Sequence, residues 1–498
     1  MVLNPKAYES DNATTDKPKS GLVLLNVTTG KNWQFEKVQK YEFSNDSKYI
    51  AYLLHSEQST NKDSKSKKIV GSDLYLRYLD GESEILFQNV TEFAFDTNST
   101  YLAYVVATSD GKKNGVYYLD LASNFLFPKT VESKENTFYS SLSWNKKNPI
   151  LAYISAKENK KNQPDSCNLN LWMADLKENQ KVINSSDCPE TWFIPFKNKL
   201  QWTEDGKRLF FGFKPIEDTT IEFKKVVYND SNYFNVDSIR YTSDIDLWHS
   251  EDPRIKPHER IWFKENVEKL YQSIYYLDEK KFVQLATREI QDVQITDNPY
   301  YTIGYTDKPY LKEITWNYFF KDLYKINLYD GSNKLIVSKI EENGNLSPLG
   351  KFVCYFNKKH WYLYDCKSDS TINLTSRLEF PFYDEDHDLP KEPSSYGLAG
   401  WLDNDEAVLI NDKYDFWKFY TGRGYGFLNQ TIAEGRTSNY TFRIYNLDKD
   451  KKSFHPDETL LLSAFDQKNK TLSVLKAQLS ILGFEIMLEE KKDRKSVV

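Results

Sequence analysis

The sequence has few cysteines, no long apolar run and no excess of basic charge, and each shortage excludes a class of protein. Four cysteines in 498 residues are too few for a disulfide framework. Cys354 and Cys366 flank a short turn, which leaves open both a pair facing across a hairpin and two free buried thiols, since a free cysteine packs as a small hydrophobe. No stretch approaches the about 18–20 apolar residues of a membrane-spanning helix. Acidic and basic residues are interleaved and the net charge is −6, so there is no basic stripe for a nucleic acid. The opening Met1-Val-Leu-Asn-Pro-Lys leads into a polar run without the apolar core of a signal peptide. The compartment stays unassigned, periplasmic or secreted if a signal lies upstream. Sequons such as Asn89-Val-Thr91 arise by chance in a chain rich in Asn and Thr, and no glycosylation is read from them. Gly-x-Ser-x-Gly, a Gly-rich phosphate loop, Cys-x-x-Cys and His-Glu-x-x-His are all missing, so no cofactor and no metal are expected.

What is abundant is aromatic: 35 Tyr and 30 Phe, with aromatics at 15%. Such residues suit pleated, half-buried surfaces. They recur in a unit that reads Phe43-Ser-Asn-Asp-Ser-Lys-Tyr-Ile-Ala-Tyr52 and returns as Phe95-Asp-Thr-Asn-Ser-Thr-Tyr-Leu-Ala-Tyr104. Further copies begin at Leu142, Leu200, Ile295, Leu346 and Trp401. In each, an apolar strand end enters an Asn/Asp/Gly turn whose residues tolerate φ > 0 or cap their own backbone. A β-branched and aromatic strand follows. A second strand pair answers most copies, as in Asp73-Leu-Tyr-Leu76, Gly115-Val-Tyr-Tyr-Leu-Asp120 and Trp361-Tyr-Leu-Tyr-Asp365. Two hairpins per unit make a four-stranded blade, and a period of about fifty residues is that of a propeller. The expected fold is therefore all-β, a β-propeller of seven or eight four-stranded blades over residues 1–485. An orphan strand pair at residues 22–30 points to incompleteness at the N-terminal end, and helical patterning is almost absent before residue 470. A doubled spacing between the fourth and fifth copies places a long insertion within about residues 213–265.

Two segments depart from blade patterning. In the insertion, His249, Glu251, Asp252 and His258 are residue types that ligate metals, although loop histidines beside prolines more often serve surface or packing roles. The second is Phe380-Pro-Phe-Tyr-Asp-Glu-Asp-His-Asp-Leu-Pro390, followed by Pro393-Ser-Ser-Tyr-Gly397. Its carboxylates around His387 suit a cation or the amino terminus of a substrate, which makes Asp386 and His387 the candidate substrate-binding residues. The plainer alternative is a solvated turn capped by Asp. Trp316 and the run Asp412-Lys-Tyr-Asp-Phe-Trp417 read as blade core, because large aromatics carry most buried area.

With these segments in hand the chain resembles the propeller region of bacterial serine peptidases of the prolyl oligopeptidase family. The resemblance lies in Leu247-Trp-His-Ser-Glu-Asp-Pro-Arg-Ile-Lys-Pro257, in Asp384-Glu-Asp-His-Asp-Leu-Pro390, and in Ser395-Tyr-Gly-Leu-Ala-Gly-Trp401. It continues in Val408-Leu-Ile-Asn-Asp-Lys-Tyr-Asp-Phe-Trp417, and in Tyr440–Asp448 running on to Leu460–Asp466, where such propellers end. It implies a propeller that gates access to an α/β-hydrolase domain joined in cis. There a Ser-Asp-His triad hydrolyses short peptides. That domain is not in this sequence, so no catalytic residue is carried over and the chain alone is expected to be inactive. Residues 486–498 read as a non-native or disordered tail. The last six, Asp493-Arg-Lys-Ser-Val-Val498, resemble the translation of a sequencing adapter, so the natural gene is expected to continue. The competing readings are a free-standing propeller that binds a protein or small ligand, and a metal-dependent enzyme built on the His387 cluster.

Overall fold

The computed structural model of the chain describes residues 2–3, 18–56, 69–81, 83–160, 163–216, 248–422, 424–448 and 450–489. Strand accounts for 46% and helix for 7%, which settles the all-β class. The chain divides into two compact units, Met1–Ile245 with Ile261–Gln284, and Asp246–Arg260 with Leu285–Val498.

Both units are runs of antiparallel meanders, each four strands deep, and the fold is a β-propeller. Unit 1 begins with a three-stranded sheet of Val2–Leu3, Gly21–Leu25 and Asn32–Phe35. Blade 1 (residues 38–90) and blade 2 (90–133) share one seven-stranded sheet, because Glu84–Phe95 runs from the outermost position of one to the innermost of the next. The chain turns left-handed at Asn89 (φ 60°) and the register shifts beside it. Blades 3 (137–183) and 4 (201–284) complete the unit. Unit 2 holds blades 5 (292–340), 6 (345–373), 7 (398–429) and 8 (440–489).

Strand alternation explains how the blades stack. In the second strand of blade 1, Tyr49–Leu54, Ile50 and Tyr52 pack with Leu22 of the three-stranded sheet. Ala51 and Leu53, pointing the other way, join Phe93 and Leu102 of blade 2. In blade 6, Val353 and Tyr355 pack on Ile303 and Leu323 of blade 5, while Cys354 and Phe356 meet Val408 and Trp417 of blade 7. A strand covered on both faces reads as an unbroken apolar run, whatever the strand direction. Each such Val, Leu, Ile or Phe side chain stabilises by about 1.5–3 kcal/mol on burial.

The turn from first to second strand repeats in detail. Its opening residue accepts a bond on its side chain from a backbone N–H a few places on. Ser44 takes Tyr49 (2.9 Å), Asp96 takes Tyr101 (2.6 Å) and Asn145 takes Lys147 (2.9 Å). Thr203 takes Arg208 (3.3 Å), Asn298 takes Tyr301 (3.0 Å) and Ser347 takes Phe352 (3.0 Å). Three places after the opening residue the chain is left-handed at Ser47, Ser99, Gly206 and Gly350. The last three of these left-handed residues also meet the preceding blade. Asp46 N–H donates to Ser99 Oγ (2.9 Å), and Asn145 Nδ2 donates to the Gly206 carbonyl (2.6 Å). A Cβ on Gly350 would overlap the Asn298 amide. In blade 7 the left-handed position is Asp405, buried, whose carboxylate accepts from Ser347 Oγ (2.6 Å), Leu349 N (3.1 Å) and Lys351 N (3.3 Å).

Several expectations are refined. Eight four-deep blades stand among the described residues. The eighth does not show the repeat in its sequence, because residues 445–459 separate its first two strands, Tyr440–Ile444 and Leu460–Asp466. The orphan pair gains a short third strand, Val2–Leu3. The last strand, Glu485–Glu489, pairs with Leu472–Ala477 and so covers residues 486–489 that the sequence reading gave to the tail; residues 490–498 lie outside the described residues. The insertion falls between Pro215 and Tyr271, its residues 217–247 lie outside the described residues, and it contains a helix, Lys256–Glu268. No residue of that helix is buried, so its apolar positions carry little period. Short helical turns also occur at Lys308–Tyr310, Glu313–Thr315 and Glu434–Ser438. No helix among the described residues is long and apolar enough to cross a membrane. All four cysteines are free. Cys354 belongs to the cluster with blade 7 and Cys366 to that with blade 5, so the two thiols face opposite sides of one sheet.

Candidate functional site

A meander puts its second-to-third turns and its blade-to-blade crossings at one end. In unit 2 that end gathers the loops of blades 5, 6 and 7, and the segment carrying Asp386 and His387 is one of them. This segment is anchored by buried Phe382 and closed by a bridge between Tyr383 and Ser395, with Asp384 N–H donating to the Ser394 carbonyl (2.8 Å). Its carboxylates do not converge. Glu385 pairs with Arg436 (2.9 Å), Asp386 with Lys413 (2.8 Å), and Asp384 accepts from the Asp386 N–H (3.1 Å). His387 Nε2 sits 3.1 Å from the Lys391 carbonyl, so that nitrogen carries the proton and donates. Glu385 N–H donates to the Tyr396 hydroxyl (2.8 Å), and burial pushes that phenol up to about 12.

Beneath the segment lies the Asp412–Asp415 turn of blade 7. Asp412 is fully buried and accepts from Asp415 N (2.6 Å), Tyr414 N (2.7 Å) and Trp417 Nε1 (2.9 Å). Burial raises its carboxyl despite these bonds. Asp415 accepts from Thr431 Oγ1 (2.5 Å) and Gly435 N (3.0 Å), tying the turn to the crossing into blade 8. Arg443 donates to the Asp412 carbonyl (2.9 Å), and its own burial lowers its guanidinium. Arg436 lies over the Phe380 and Tyr414 rings; burial works against its charge, but Glu385 and Asp412 outweigh it and raise the group. Phe416 and Trp417 are core, as read. The acids of Asp-Lys-Tyr-Asp-Phe-Trp hold the loop end in shape.

Beside this segment lies a cleft of about 530 Å³, lined by Phe320, Glu341, Phe356, Lys358, Glu392 and Pro393 among others. Lys358 and Lys359 form the two-residue turn between Phe352–Asn357 and His360–Asp365, both with positive φ (46° and 67°). That is the type I′ pattern, which usually recruits Asn-Gly. Glu341 is half-buried, and burial raises its carboxyl, with Lys391 and His387 acting in the opposite direction. Sequence reasoning missed these residues. The only signal was Lys-Lys in a two-residue turn.

The other candidates lie apart. Among the described residues no three His, Cys, Asp or Glu converge as a metal site. His249 Nδ1 accepts from Glu251 N (3.1 Å), Glu251 pairs with Lys312 (2.7 Å), and Asp252 lies 3.6 Å from Lys256. Leu247 is outside the described residues. Trp316, expected in the core, is 72% exposed in the loop between Tyr301–Thr306 and Lys321–Asn327. That loop is a second-to-third connection rather than a strand, so its apolar residues have no neighbouring sheet to cover them.

No protein-family model matches the chain, and no curated protein matches it. Solved structures do. The β-propeller domain of the trilobed protease from Pyrococcus furiosus, of open velcro topology, is 11% identical at a TM-score of 0.30, covering 89% of this chain and 98% of that one. TolB from Acinetobacter baumannii is 10% identical at a TM-score of 0.28, covering 72% and 77%. A structure from work on two prolyl endopeptidases is 12% identical at a TM-score of 0.26, and the match spans 80% of this chain but 49% of that one. All are β-propeller proteins. At such identities nothing of the site or its chemistry passes from them to this chain.

Proposed function

We propose that this chain is the non-catalytic, substrate-gating propeller of a serine peptidase of the prolyl oligopeptidase kind. Peptide-bond hydrolysis then belongs to a Ser-Asp-His triad on an α/β-hydrolase domain joined in cis, and the peptide meets this chain at the loop end of blades 5–7. The observation that carries the reading is how the resembling stretches meet. Residues 384–401 and 408–417 are tied into one body by Asp386–Lys413 and by the Asn411 N–H bond to the Gly397 carbonyl (3.0 Å). Trp401 and Trp417 share one core. That body walls the cleft through Glu392, Pro393 and Ser394. It offers apolar surface beside charges of both signs, the surroundings that hold a peptide's side chains and its polar ends.

The test is to read the gene past the codon for Val498. An in-frame α/β-hydrolase domain with a Gly-x-Ser-x-Gly strand–turn–helix is expected. The full-length product should cleave a peptide nitroanilide and lose that activity when the elbow serine becomes alanine, while residues 1–498 alone cleave none. A natural stop codon at that point would overturn the proposal.

A further inference from the structure

The cleft beside the 380–397 segment contains more charge than its own pairs consume. Lys339 is held by Glu313 (2.9 Å) and lies over the Phe320 ring (4.8 Å). Lys359 reaches Glu392 (3.9 Å) and the Tyr383 ring (5.4 Å). Lys391 sits on the Tyr318 ring (4.4 Å). Ser395 engages both carboxylate oxygens of Glu342, donating its N–H to one and its hydroxyl to the other at 2.6 Å each. Two lining groups make no direct bond, although Lys391 and His387 act on Glu341 from beyond bonding distance. Glu341 and Lys358 both line the cleft, and among the described residues neither has a hydrogen-bond or ion-pair partner. One is a half-buried carboxylate and the other an exposed ammonium on a two-residue turn of left-handed backbone. Phe320 and Phe356 add apolar surface to the same cleft. The volume, about 530 Å³, falls within the roughly 300–1,000 Å³ of small-ligand sites.

We propose that this cleft binds an unblocked short peptide, with the ligand's ammonium on Glu341, its carboxylate on Lys358 and an apolar side chain against Phe320 and Phe356. The site deepens the proposed function and rests on it only in taking a peptide as the ligand. Its two charged ends admit a ligand with both termini free and reject one with either terminus blocked, because the displaced water is then not replaced by an ion pair. The turn shows how Lys358 is presented: lysine is an unfavoured residue at φ 46°, where asparagine would sit with less strain and no charge.

Calorimetric titration of residues 1–498 with the dipeptide alanyl-phenylalanine, its N-acetyl form and its C-terminal amide tests this. The free dipeptide is expected to bind, and blocking either end to weaken binding by about tenfold or more, as for a lost charge-assisted hydrogen bond. Glu341→Gln should make the free and N-acetylated forms bind alike, and Lys358→Asn should do the same for the acid and the amide. Unchanged circular dichroism and melting temperature establish that both variants are folded. No binding of the free dipeptide, or equal binding of the blocked forms to the parent chain, would overturn the site. Neither result touches the reading of the gene downstream, so failure here and failure of the peptidase reading are separable.

Discussion

The blades are alike at the end that carries their first-to-second turns and unlike at the other. At the first end six turns open on Ser, Thr, Asn or Asp, each capping the backbone beyond it. Left-handed residues then reach the neighbouring blade. At the second end the connections run from the two residues of the Lys358–Lys359 turn to the insertion between Pro215 and Tyr271. Free charges in the unit 2 cleft, exposed Trp316 and the paired loop carboxylates all lie in second-end connections. The repeated end builds the fold. The varied end is left to recognition, as loops on a rigid scaffold commonly are.

The difference predicts where substitution is felt. Asp405→Ala should be the most damaging, because three donors from the neighbouring turn, Ser347 Oγ, Leu349 N and Lys351 N, lose a buried acceptor together. A loss of about 3 kcal/mol is expected in urea unfolding. A loss below a third of that would mean the inter-blade bonds are incidental, and the contrast between the two ends would fail. Gly350→Ala comes next, at about 1–2 kcal/mol. It places a Cβ at φ 72° and against the Asn298 side chain, and the melting temperature of the purified variant is the measurement. Unchanged stability there would show that the turn shifts freely and that its left-handed residue is not required.

The same contrast explains what was legible. The repeat was visible because its turn demands Ser, Thr, Asn, Asp or Gly at fixed places, and because strands such as Tyr49–Leu54 are covered on both faces and must be apolar throughout. The eighth blade escaped because residues 445–459 replace that turn by a long loop. The helix Lys256–Glu268 escaped because it buries no residue, so nothing imposes a period on it. The loop bearing Asp386 and His387 was found, since Pro and Asp runs break strand patterning. Its geometry was not, because Lys413 and Arg436, which hold its parts in place, are brought to it by blade 7 and the crossing beyond. The cleft was invisible for the same reason: Glu341, Lys358 and Pro393 are ordinary residues on three separate connections, and only the stacking of blades 5, 6 and 7 brings them together.

The smallest effect belongs to Asp386→Ala, and it sharpens the comparison from the other side. Asp386 is 75% exposed and makes one ion pair, with Lys413. Solvent screens such a pair and side-chain entropy offsets it, so its removal should change stability by no more than about 0.5 kcal/mol. Asp386 is also not among the residues lining the cleft. Affinity for the free dipeptide should therefore stay within about twofold, a change well under 1 kcal/mol. A tenfold loss of affinity with stability intact would move recognition from the cleft to the loop tip, making Asp386 a contact residue. A loss of stability like that of Asp405→Ala would instead show that the varied end supports the blades as much as the repeated one does.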